Sequence, residues 1–158
     1  MIAYLPTGPV SRAAAPARSA ASICALVIQS LGPVVVTVPA RASSVHVLRA
    51  VVASVAARLD LSIDEVEEMR IAIDEAAVLL LHLHAPAGTL RAELEADLQN
   101  LTIRLSSDVA VDGNWPPPGT EEAWPWHVIT GLVDEAGFDV SRDGPIVWMR
   151  LRRRTDRT

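Results

Sequence analysis

The residues best placed to do chemistry fall in one short run, Asp74-Glu75-Ala76-Ala77-Val78-Leu79-Leu80-Leu81-His82. Glu75 lies off the apolar stripe of its segment, in line with Leu79 and His82, so it is an acidic group in the middle of a mostly apolar helix. His82 and His84 are two positions apart near the helix end; on a regular helix they point to different sides and make a poor metal pair. They read better as partners of the helix C-terminal dipole. His46 and His127 belong to other segments, no Ser/His/Asp set is indicated by order or spacing, and Cys24 has no patterned partner.

The element that must position Glu75 is a helix from Ser62 to about His84. Ser62 followed by Glu65 is a capping box, in which each side chain satisfies the other's free backbone N–H. Asp64, Glu65, Glu67 and Glu68 crowd the positive end of the helix dipole. Val66, Met69, Ile73, Ala76, Ala77 and Leu80 recur at steps of three and four and define the buried face. Pro86 and Gly88 stop the helix.

The rest of the chain supplies a frame. Val34 to Val38, bounded by Gly32-Pro33 and Pro39, reads as a strand. Ser43 or Ser44 is placed to cap a helix running to about Leu59, with Val45, Leu48, Val52, Val55 and Leu59 inward and Arg41, Arg49 and Arg58 outside. Leu90 to Leu98 and Leu101 to Leu105 alternate apolar and polar residues about Gln99-Asn100, an antiparallel hairpin. Ser106 to Glu122 is loop, containing Trp115-Pro116-Pro117-Pro118-Gly119. Trp124 to Ala136 returns to helical spacing through Trp124, Val128, Leu132 and Val133 or Ala136, with Gly137 as its C-terminal cap. Phe138 to Val140, a turn at Arg142-Asp143-Gly144 and Ile146 to Leu151 form a last hairpin.

The expected order is strand, helix, helix, strand, strand, helix, strand, strand. It describes an α+β fold, a two-layer α/β sandwich with a mixed, mainly antiparallel sheet and helices on one face.

With 158 residues the chain is large enough for one domain with a real core. A formal charge of −5 argues against a direct nucleic-acid binder. The basic tail from Arg152 to Arg154 is a solvated end rather than a nucleic-acid patch. The single cysteine rules out an intramolecular disulfide and fits a reducing cytoplasm. No apolar run reaches the roughly 20 residues that span a bilayer, so no membrane partner is expected. Ala13 to Ser30 reads either as a secretory signal or as an Ala-rich extension with a short helix from Ser19 to Leu31. We divide the chain into an N-terminal extension (1–31), one domain (32–153) and a tail (154–158).

Three stretches carry a family resemblance: Val38-Pro39-Ala40 leading into a helix, Met69-Arg70-Ile71-Ala72-Ile73-Asp74-Glu75-Ala76, and Trp126 to Glu135. Together with the order of elements, they resemble the GHKL (histidine kinase-like, Bergerat-type) ATPases. Within these the chain looks most like the anti-sigma factor serine kinases of divergent actinobacterial type. The likeness runs from about Val34 to Arg152.

The resemblance implies ATP and Mg²⁺ as cofactors, a sigma factor and an anti-anti-sigma factor as partners, and a homodimer. It implies Glu75 as the catalytic group that polarises the attacking hydroxyl. The metal-holding Asn of the family falls on Leu79, which has no oxygen to offer. The adenine loop falls on Asp108 or on Asp112 with Gly113, without paired glycines. Of the second Gly-rich loop only Gly119 survives, beside Glu121 and Glu122, which would repel phosphate.

The resemblance therefore implies a sigma-sequestering anti-sigma factor with a degenerate ATP site. The alternative is an active serine/threonine protein kinase acting on an anti-anti-sigma factor, and a third reading is a regulatory relative with another ligand in the lid pocket. Trp124 and Trp126 are expected to plug the space of the lost nucleotide, and Trp115 to contact a partner.

Overall fold

The computed structural model describes residues 32–83, 88–97, 99–111 and 114–153. Expectations for residues 1–31, including Cys24, and for His84, Asp112, Gly113 and the tail from Arg154 onward lie outside these.

Five strands form one sheet: β1 (Val34–Pro39), β2 (Thr89–Ala96), β3 (Asn100–Ser107), β4 (Glu135–Ser141) and β5 (Gly144–Arg152), in spatial order β1-β2-β3-β5-β4. All four pairings are antiparallel, in line with the mainly antiparallel sheet expected. Alternation fixes the register. Val36, Ala92, Leu105, Val147 and Phe138 lie opposite one another across all five strands, and Val34, Leu94, Ile103, Met149 and Ala136 make the next inward row. The intervening row, Val35, Glu93, Arg104, Trp148 and Gly137, points away from the helices.

The helices are α1 (Val45–Arg58), α2 (Ile63–Leu81) and α3 (Trp124–Leu132). Leu48, Val52 and Val55 of α1 and Met69, Ile73, Ala76, Ala77 and Leu80 of α2 are buried with the strand leucines and valines in one core. The Ser62–Glu65 capping box is formed, with Glu65 N donating to Ser62 Oγ at 3.2 Å and Ser62 N donating to Glu65 Oε2 at 2.7 Å. Ser44 precedes α1 but makes no side-chain cap; a 3₁₀ turn over Ala42–Ser44 leads into the helix instead.

The β2–β3 turn is held by Asp97, whose Oδ1 accepts from the backbone N–H groups of Gln99 and Asn100 at 2.7 and 2.8 Å. Burial works to raise the Asp97 pKa, but these bonds and the Asn100 side chain outweigh it and hold the carboxyl below its usual value.

The largest departure from expectation is at α3. The helix ends at Leu132, and Glu135, Ala136 and Gly137 begin β4. Residues past Leu132 find better partners on β5: Asp134 N donates to Arg150 O at 3.1 Å, and the Asp134 carboxylate accepts from Arg152 N at 2.7 Å. Gly137 is therefore a strand residue, not a helix cap. Trp148 lies against its backbone so closely that a Cβ on residue 137 would sit 2.7 Å from the indole ring. The apolar spacing was misread too, since the buried side chain of α3 is Ile129 and Trp124 is 75% exposed.

Candidate functional site

Helix α2 has two flanks beside its buried face. At 3.6 residues per turn, Arg70 and Asp74 lie on one, and Glu68, Glu75, Leu79 and His82 on the other. The first flank faces α1, where Arg49 pairs with Asp74 at 3.3 Å. Burial raises the Asp74 pKa above its ordinary 3.8 despite the opposing charges of Arg49 and Arg70. Its Oδ1 is buried and finds no hydrogen-bond partner among the described residues, which fits that direction.

The second flank faces the segment between β3 and α3. Leu79, His82 and Leu83 form one wall of a cavity of about 220 Å³; Trp115, the Pro117–Thr120 turn and Ala123 form the other. Leu79 and Gly119, distant in sequence, are thus brought together as expected of one site. Glu75 is half-buried one turn before Leu79, and no ion pair or hydrogen bond engages it among the described residues. Glu68, a further two turns back, has a buried Oε2 that also finds no partner among the described residues.

Gly119 owes its place to a turn. Its φ is +84°, Pro118 precedes it, and Thr120 N donates to Pro117 O at 3.1 Å, the signature of a type II turn that needs glycine at its third position. A Cβ there would meet nothing within 4 Å, so no close approach of backbone to a neighbouring group explains the glycine.

Trp115 and Trp124 depart from their expected roles, and Trp126 does not. Trp115 is half-buried, donates from Nε1 to Ile146 O at 3.1 Å and meets Phe138 edge-on at 5.5 Å. Trp126 stacks on the same Phe138 at 4.2 Å. These two indoles pin the loop and α3 to β4, and Trp126 fills space as a plug would. Trp124 plugs nothing: it follows Ala123 in the chain and is exposed to solvent.

Asp108 stands apart from Leu79 and Gly119. Its Oδ1 accepts from Thr89 N at 2.7 Å and its Oδ2 from the Thr89 hydroxyl at 2.8 Å, so it ties the end of β3 to the start of β2. It borders a different concavity, about 590 Å³ on the outer face of the sheet, where Arg91 and Arg104 pair with Glu93 and Asp139. That cavity is larger, but most of its charges are already matched. The groove beside α2 is the more informative site because it brings Leu79 and Gly119 to one place and no arginine lines it.

Sequence reasoning missed the Pro117–Ala123 wall, whose proline turn carries no chemical signature, and the Asp74–Arg49 contact, which needs the packing of two helices. Among the described residues no group of three or more His, Cys, Asp or Glu is arranged to hold a metal, and no helix is long and apolar enough to cross a membrane.

Residues 38–151 match the histidine kinase-like ATPase domain family. Anti-sigma-F factor RsbW of Mycobacterium tuberculosis, from strains CDC 1551 / Oshkosh and ATCC 25618 / H37Rv, is 28% identical over 103 residues, which is 62% of this chain and 56% of the relative. The chain thus spans little more than half the length of those relatives. A crystal structure of the RsbU and RsbW domains of a Mycobacterium tuberculosis protein superposes with a TM-score of 0.60 at 14% identity, over 77% of this chain and 32% of that one, and shows the same fold.

Proposed function

The chain belongs to the histidine kinase-like ATPase domain family, and on that premise we propose that it is an anti-sigma factor that sequesters an RNA polymerase sigma factor by direct contact. The similarity to anti-sigma-F factor RsbW supports this partner class. The proposal extends to an anti-anti-sigma factor as antagonist and to a homodimer as the working form.

Leu79 is the observation that separates sequestration from phosphotransfer. It lies on the flank of α2 where the family resemblance requires a metal-holding amide, and it presents only methyl groups to the groove. Mg²⁺ takes oxygen ligands in a near-octahedral shell, which this wall does not supply. The groove, at about 220 Å³, falls short of the roughly 300–1,000 Å³ of ordinary small-molecule sites. Glu121 and Glu122 flank the turn where phosphates would need donors. The residues present do not fit a magnesium nucleotide, and we derive no phosphoryl-transfer step.

Release of the sigma factor would then follow from competition by the antagonist for the bound surface, not from phosphorylation of that antagonist. The test pairs two measurements. Co-expression with sigma factors should yield a stable complex, and calorimetry should detect no Mg-ATP binding by the unaltered protein. Micromolar Mg-ATP binding would instead put the serine kinase first. Binding recovered only in Leu79→Asn would locate the difference in that side chain.

A further inference from the structure

The charges of this molecule are not evenly satisfied. Arg49, Arg70, Arg91, Arg104, Arg150, Arg152 and Arg153 all pair with acids, and these pairs lie along the α1–α2 contact, the sheet and its margins. Glu121 and Glu122 lie between the lining residues Thr120 and Ala123, and Glu75 lies one turn before Leu79; none of the three takes part in an ion pair among the described residues, and no Arg lines the groove. The lining is mostly apolar, with Leu79, Trp115, Pro117, Pro118 and Ala123, and His82 is the titratable side chain in it. Trp124, next in the chain after the lining residue Ala123, exposes a large ring to solvent.

An apolar slot rimmed by unmatched carboxylates selects against anions and for a cationic chain with an apolar residue to bury. We propose that this groove is a docking site for a protein segment in which one or two aliphatic or aromatic residues are flanked by Lys or Arg. The apolar residue fills the slot against Leu79 and Trp115, and the cations meet Glu121, Glu122 and Glu75. The volume of about 220 Å³ suits one or two side chains. This deepens the contact reading above by assigning a surface, and it rests on that reading only in taking a protein rather than a nucleotide as the occupant.

The test uses the full chain labelled with nitrogen-15 and two capped peptides, one with two leucines between paired lysines, the other with glutamates replacing the lysines. The lysine peptide should shift the Trp115 indole N–H and the amides of Thr120 and Ala123, and the glutamate peptide should not. The exposed double variant Glu121→Lys with Glu122→Lys should weaken the lysine peptide about tenfold and flatten its salt dependence. Leu79→Ser should weaken it without changing that dependence. Absence of shifts at the groove, equal shifts with both peptides, unchanged affinity in the charge-reversed variant, or shifts produced there by Mg-ATP would each overturn the proposal. Sigma-factor capture is scored separately on the same variants. Peptide binding without sigma capture would leave the groove standing and defeat the sequestration reading.

Discussion

The two flanks of α2 share one backbone and one buried face, yet they differ in every respect that matters for binding. Toward α1, Asp74 pairs with Arg49 through one oxygen while its other oxygen stays buried without a partner among the described residues, and Arg70 pairs with Glu67 on its own helix. Toward the tryptophan loop, Leu79 lines a cavity, Glu75, one turn before it, engages no partner among the described residues, and Glu68 has a buried oxygen that finds none. The first flank brings a cation to its acid, whereas the second meets a cavity that no arginine lines. The difference is what marks the second flank as a site.

The comparison breaks most visibly at adjacent leucines. Leu80 is fully buried in the shared core, so Leu80→Ala should cost about 2–5 kcal/mol by denaturant unfolding. Leu79→Ala, one residue away on the groove wall, should cost clearly less than Leu80→Ala. If the two cost the same, the groove wall is part of the core and the contrast between flanks collapses.

A smaller effect sharpens the α1 side. Arg49→Ala should cost about 0.2–1 kcal/mol, as partly exposed ion pairs do. Asp74 adds a pH signature of definite sign. Its folded pKa lies above its unfolded one, so its stabilising contribution is present below the ordinary 3.8 and lost as pH rises through the raised folded value. Stability profiles of Asp74→Asn and the unaltered protein should therefore diverge with rising pH across that interval, the unaltered protein losing ground. Opposite divergence would mean that Arg49, not burial, governs the group.

The smallest expected effect is at Glu75. Glu75→Gln should change thermal stability by no more than about 0.5 kcal/mol, because no partner among the described residues is lost. A larger loss would make Glu75 a structural group and remove it from the rim.

Where the sequence could be read, one periodicity spoke alone. The 2-residue alternation of β2 and β3 placed Leu90, Ala92, Leu94, Leu101, Ile103 and Leu105 on the buried face, and the capping box located the start of α2. Val133 to Gly137 failed because their helical spacing competes with sheet pairing, and that competition is decided by Arg150 and Arg152, far along the chain. The site was half legible. Leu79 and Gly119 could be placed together through the family resemblance, but Asp108 could not be known to serve Thr89. Nor could the roles of the tryptophans be told apart, since Phe138, the residue that claims Trp115 and Trp126, gives no local sign of doing so.

That aromatic trio has a kinetic consequence. Phe138 sits on an edge strand, and its ring is gripped by indoles from either end of the segment 115–126. Each aromatic contact contributes about 0.5–1.5 kcal/mol beyond its burial, so the segment cannot lift without baring Phe138 and loosening β4 beneath it. Amide protons of β4 and of α3 should accordingly exchange with solvent as one cooperative unit, slowed together by whatever occupies the groove.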